Sequence, residues 1–242
     1  MRAVKKPNNF GTNKTNCYRV RARAKGERFM LVAPSVLSAD FGNMARDVKA
    51  IEQWGADVVH CDVMDGVYVP NITFGMPMVK AFKQNSNLPI DAHLMITLPE
   101  KYVGAFCDAG ADIVTFHPDA SGDVQGAIDT IKSKGKKCGL VVNADQPFDI
   151  VEPYLPEIDL LVVMTVQAGF GGQKFMPNRL QMVQKGDEMR KQFGYSYLIE
   201  VDGGVCEDNV ATIKDACADI VVAGSAVFKS ENPTLTIERL HA

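Results

Sequence analysis

From residue 31 onward, short runs of apolar, mostly β-branched residues alternate with longer segments whose apolar positions recur at helical spacing. Eight runs predict strands over residues 31–37, 57–62, 90–95, 112–117, 137–143, 159–164, 197–202 and 219–223. The segments between and after them predict helices over 43–54, 77–84, 99–109, 122–134, 147–155, 177–193, 207–216 and 233–240. An internal echo supports this phase. Gly55-Ala56-Asp57-Val58-Val59 recurs as Gly110-Ala111-Asp112-Ile113-Val114 and as Cys217-Ala218-Asp219-Ile220-Val221. The glycines suit the left-handed turn past a helix end, and the apolar pairs suit a strand buried on both faces.

Repeated strand–helix units imply a parallel sheet. Eight of them in the last 212 or so residues favour an α/β fold closed as a single (β/α)8 TIM barrel over an open doubly wound sheet. The first strand is followed by Ser35-Val36-Leu37-Ser38 and not by the glycine-rich turn of a dinucleotide-binding fold.

The chain has 242 residues, 46% of them hydrophobic and 23% charged, which suits one large core. Its longest apolar runs fall far short of the roughly 18 residues that cross a bilayer, so no membrane role is expected. Charge divides it in two. Residues 1–30 carry nine Lys or Arg against Glu27 alone, a net +8, while the remainder carries −11 of a total of −3. The expected organisation is a basic, disordered or transit-like leader over 1–30 and a catalytic barrel over 31–242. The leader resembles an organelle transit peptide more than a secretory signal, although it is poor in serine. A cytoplasmic location is expected, with an organelle as the alternative. The acidic body argues against nucleic-acid partners. None of the six cysteines falls in a C-x-x-C or familiar zinc spacing, so they read as reduced packing thiols, with Cys61 facing away from the barrel interior.

Barrel chemistry sits at the carboxyl ends of the strands. Those ends hold Ser35, His60 with Asp62, His93, His117, Asn143, Met164, Asp202 and Gly224-Ser225. Three of the four histidines fall there. His60 and Asp62, two apart on one strand, leave the same face. With His93 and Asp202 they make a two-His, two-carboxylate set suited to one divalent metal ion, Zn, Fe or Mn. The competing reading is that these groups satisfy one another by hydrogen bonds. Gly169-Phe170-Gly171-Gly172-Gln173 after strand six, Gly203-Gly204 after strand seven and Gly224-Ser225 after strand eight predict a phosphate cradle, hence a small phosphorylated substrate. Met64, Met95 and Met164 are expected to line the pocket as adaptable filler.

These motifs carry a close resemblance to the ribulose-phosphate 3-epimerase family of the pentose phosphate pathway. It covers residues 32 to about 240 and rests on ordered blocks that include Ala33 to Phe41, His60 to Gly66, Val69 to Thr73, Asp91 to Met95, Met164 to Val166, Gly169 to Gln173, Glu200 to Gly204 and Ala223 to Ala226. The resemblance implies an isomerase that interconverts D-ribulose 5-phosphate and D-xylulose 5-phosphate. It implies that Asp62 and Asp202 are the acid/base pair, inverting C3 through an enediolate, and that His60, Asp62, His93 and Asp202 bind a divalent metal acting as a Lewis acid. It implies that Ser35 and His93 touch the sugar, while Gly169, Phe170, Gly171, Gly172, Asp202, Gly203, Gly204, Gly224 and Ser225 complete the substrate site.

The sequence departs from the family pattern at Ala168, where proline is usual, at Cys217, where glycine is common, at Asn143-Ala144-Asp145, and in a short final helix. An epimerase of a six-carbon phosphosugar such as D-allulose 6-phosphate is the nearest alternative, and a noncatalytic phosphosugar-binding barrel a distant one. A decarboxylase of the same barrel type would carry Asp-x-Lys-x-x-Asp, whereas strand two ends Asp62-Val63-Met64-Asp65. Exposed apolar stripes on barrel helices lead to an expected homo-oligomer.

Overall fold

The structure, a computed structural model, describes residues 29–241. Most of the predicted leader, residues 1–28, therefore lies outside the described residues. Phe29 and Met30, assigned to that leader, pack on the barrel. Met30 is buried in the core, and Phe29 stacks on His241 with ring centroids 4.7 Å apart.

All eight predicted strands are present: β1 (Leu31–Pro34), β2 (Val59–Met64), β3 (Ile90–Met95), β4 (Ile113–Phe116), β5 (Lys137–Val142), β6 (Leu160–Met164), β7 (Leu198–Asp202) and β8 (Ile220–Ala223). Between and after them run α1 (Met44–Gln53), α2 (Met76–Asn85), α3 (Val103–Ala109), α4 (Val124–Ser133), α5 (Leu180–Phe193), α6 (Val210–Asp215), a one-turn α7 (Ser225–Phe228) and α8 (Pro233–Leu240). Every ladder is parallel, in the order β1-β8-β7-β6-β5-β4-β3-β2, and a single bridge between Ser35 and His60 brings β1 back to β2. The result is a nearly closed (β/α)8 barrel. Alternation along the strands gives two layers. Leu31, Ala33, Val58, Ile113, Val141, Leu160, Val162 and Val222 fill the interior, while Val32, Cys61 and Val63 join the outer core built with the helices.

One expectation fails. The helix predicted over 147–155 is two 3-10 turns, Phe148–Ile150 and Glu152–Tyr154. Pro147, Pro153 and Pro156 remove amide donors and disfavour helical geometry in the residues before them, so apolar spacing is overridden by backbone chemistry.

The echoed Asp57, Asp112 and Asp219, joined by Asp159, do a specific job at the bottom of the barrel. Each exchanges two hydrogen bonds with one residue of the preceding strand, donating its amide to that residue's carbonyl and accepting that residue's amide on its carboxylate. The pairs are Asp57 with Val32 (3.0 and 2.9 Å), Asp112 with Ile90 (2.9 and 3.0 Å), Asp159 with Cys138 (2.7 and 3.1 Å) and Asp219 with Ile199 (2.8 and 2.9 Å). Each carboxylate also meets a basic side chain, respectively His241, Lys83, Lys137 and Arg190. The barrel is thus assembled as four two-strand quarters pinned alike.

Candidate active site

Three strands present polar pairs two residues apart on their inner faces: His60 and Asp62 on β2, Asp91 and His93 on β3, Glu200 and Asp202 on β7. The β2–β3 register sets Asp62 beside His93 and His60 beside Asp91. This makes two tiers, Asp62, His93 and Asp202 above and His60, Asp91 and Glu200 below. His60 joins the tiers, because its two ring nitrogens face opposite ways. Nε2 lies 3.2 Å from Asp62 Oδ1 and 3.7 Å from Asp202 Oδ2, while Nδ1 lies 3.1 Å from Asp91 Oδ2 and 3.5 Å from Glu200 Oε1. His93 turns Nδ1 toward the same two upper carboxylates, 3.4 Å from Asp62 Oδ1 and 3.3 Å from Asp202 Oδ2.

Electrostatics follow from this crowding. Burial alone would raise the Asp62 carboxyl, but the flanking His60 and His93 outweigh it and hold Asp62 well below the ordinary carboxylate range. Burial would lower both imidazoles. Instead Asp62 and Asp91 pull His60 well above its ordinary value, and Asp202 and Asp62 push His93 up to about 9. Glu200 is driven well above the ordinary carboxyl range by burial and by Asp91. Two carboxylates and two imidazoles thus converge on one shared space.

One ligand atom from each of His60, Asp62, His93 and Asp202 lies within 4.8 Å of all the others. His93 Nδ1 is buried without a hydrogen-bond partner, aimed at that shared space. Two imidazole nitrogens and two carboxylate oxygens around one point fit a divalent cation such as Zn, Fe or Mn.

Above this set opens a cleft at the carboxyl ends of the strands. Ser35, Asp62, Met64, Met95, Met164, Gly169, Phe170, Gly171, Gly172, Asp202, Gly203, Gly204, Gly224 and Ser225 all line it. His60 and His93 are fully buried and do not line it. Asp62 and Asp202 are the two members of the set that reach the cleft.

Glycine is required where the walls close in. Gly203 (φ +125°) and Gly204 (φ +67°) adopt left-handed backbone, and a Cβ on them would stand 2.5 Å from Val166 and 2.7 Å from the Phe175 amide nitrogen. The loop after β6 is folded on itself by Gln173, whose Nε2 donates to the Gln167 and Phe170 carbonyls (2.6 and 2.8 Å), and Asn71 Nδ2 ties it to the β2 loop at the Gly169 carbonyl (3.0 Å). Sequence reasoning missed Asp91 and Glu200, although the same two-residue spacing that exposed His60 and Asp62 marks both. It also left Ser38, Gln167 and Val205 out of the cleft. No local signal distinguishes these.

A profile of the ribulose-phosphate 3 epimerase family matches residues 31–228. The ribulose-phosphate 3-epimerase of Bacillus subtilis (strain 168) is 44% identical over 198 residues, 81% of this chain and 91% of its own length. That of Escherichia coli K12 is 41% identical over 88% of this chain and 95% of its own. A relative from Arabidopsis thaliana described as chloroplastic is 40% identical over 92% and 82%. Among solved structures, 3-hexulose-6-phosphate synthase from Salmonella typhimurium superposes with a TM-score of 0.68 at 19% identity, covering 88% of this chain and 97% of the other, which shows the shared barrel alone. No helix among the described residues is long and apolar enough to cross a membrane. On a profile spanning the barrel and on relatives at 41–44% identity over most of both chains, the protein belongs to the ribulose-phosphate 3 epimerase family.

Proposed function

We propose that this chain interconverts D-ribulose 5-phosphate and D-xylulose 5-phosphate, with Asp62 and Asp202 as its two acid/base groups. The observation that carries the reading is that these carboxylates, from β2 and β7, are the members of the polar set exposed to the cleft. Inverting a carbon beside a carbonyl requires a base on one face and an acid on the other. Asp62, held ionised by His60 and His93 and hydrogen-bonded by the Ser35 hydroxyl, is poised to accept a proton from C3. Asp202 protonates the resulting enediolate from the opposite face, and the roles exchange for the other epimer.

His60, Asp62, His93 and Asp202 would hold a divalent metal, which supplies Lewis-acid stabilisation of negative charge developing on the sugar. Met64, Met95 and Met164 wall the reacting carbon from water. The glycine loops after β6, β7 and β8 present backbone amides to the phosphate, with Ser225 opening the short α7. Asp202→Asn is expected to lower turnover by about 10²–10⁴ while the fold survives, since the lost group is one general acid/base. Near-normal turnover refutes the pair. Comparing five- and six-carbon phosphosugars on one preparation tests the substrate. A fully active preparation shown by elemental analysis to be metal-free ends the metal assignment.

A further inference from the structure

Two fully buried side chains that line no part of the cleft contact the metal-binding imidazoles from behind. Asp91 Oδ2 lies 3.1 Å from His60 Nδ1. His117, one residue past β4, sets its Nε2 2.9 Å from His93 Nε2. The His93 and His117 rings are within 19° of parallel with centroids 5.1 Å apart. A nitrogen–nitrogen approach so much shorter than the centroid separation brings the rings together edge to edge, as a hydrogen bond requires.

We propose that Asp91 and His117 are positioning residues that fix the proton positions and ring orientations of His60 and His93, so that the two imidazoles present opposite nitrogens to one cation. The inference rests on the metal reading above and deepens it. His60 faces the upper carboxylates with Nε2, so its proton must sit on Nδ1, where Asp91 accepts it. His93 faces them with Nδ1, so its proton must sit on Nε2, where only a lone pair on His117 Nε2 can receive it. That assignment forces the His117 proton onto Nδ1. This atom is buried and has no hydrogen-bond partner. A buried donor left unpaired is costly, and the cost makes sense where the ring's other nitrogen must act as an acceptor. Such outer partners fix ligand tautomer and orientation at metal sites generally, and losing one costs about 10–100-fold in metal affinity.

The test uses the full chain loaded with Zn²⁺. Nitrogen-15 NMR of its histidines is expected to show protons on His60 Nδ1, His93 Nε2 and His117 Nδ1. A proton on His117 Nε2 overturns the proposal. Independently, His117→Phe is expected to weaken Zn²⁺ binding about 10–100-fold in competition with a chelator. His117→Gln, whose carbonyl oxygen can accept the same hydrogen bond, is expected to recover most of it. Equal affinity for the Phe variant and the parent overturns the proposal, and if that variant does not fold, the parent spectrum alone decides. Failure of the parent to bind Zn²⁺, Fe²⁺ or Mn²⁺ removes the metal reading and this inference with it. Tight binding with the reversed tautomers removes this inference alone.

Discussion

Ser35 Oγ donates a 2.5 Å hydrogen bond to Asp62 Oδ2 across the seam where β1 returns to β2. The proposed base is therefore tied directly to the strand end that closes the barrel. Ser35→Ala removes a charged hydrogen bond of about 1.5–3 kcal/mol. The expected result is a fall in kcat/KM of about 10–100-fold, read by steady-state kinetics. Unchanged kcat/KM would show that the hydroxyl is dispensable to the base.

Asn71 bears on loop closure. Its side chain is the tether to the Gly169 carbonyl, in a loop where Ala168 replaces the proline expected of the family. Asn71→Ala, losing about 1 kcal/mol, should raise KM by about 5-fold and leave kcat nearly unchanged. A variant with normal KM and depressed kcat would place Asn71 in the chemistry instead.

Acid stability is expected to depend on Asp187 of α5. Burial would raise this carboxyl, but hydrogen bonds from Lys191, Arg190 and Cys217 lower it from 3.8 to about 2. A folded value below the unfolded one means that the carboxylate contributes stability above pH 3.8, and that this is lost as pH falls through about 2. Because Lys191 is largely exposed, the contribution is discounted to about 1–2 kcal/mol. Urea denaturation of Asp187→Asn should show that deficit at neutral pH and a narrowing gap below pH 4. A deficit that does not change with pH would point to packing rather than charge.

Cys217 occupies left-handed backbone, φ +75°, at the position where its two echoes have Gly55 (φ +92°) and Gly110 (φ +114°). A side chain there costs about 1 kcal/mol. Cys217→Gly should therefore stabilise the fold by about 0.5–1 kcal/mol, net of the lost contact with Asp187, and raise Tm by about 2–3 °C. A lower Tm would mean that the Cys217 contact outweighs the backbone strain.

The eight strands were legible in the sequence because a parallel strand buried on both faces must be continuously apolar, and helices on its flanks impose a second period. The polar groups at the strand ends were legible for the same reason, as interruptions of apolar runs at the face where barrels place their chemistry. Local pattern misled at 147–155, where three prolines veto a helix that the apolar spacing favours. It marked three of the four pinning aspartates, missing Asp159 because Glu157-Ile158 departs from the Gly-Ala or Cys-Ala that precedes the other three. Tertiary structure alone decided depth. Period-two alternation says which residues of one strand share a face, but the stagger between strands sets which levels meet. That stagger brings Asp62, His93 and Asp202 to one level with His60 beneath them, and sets His117 of one strand end against His93 of another.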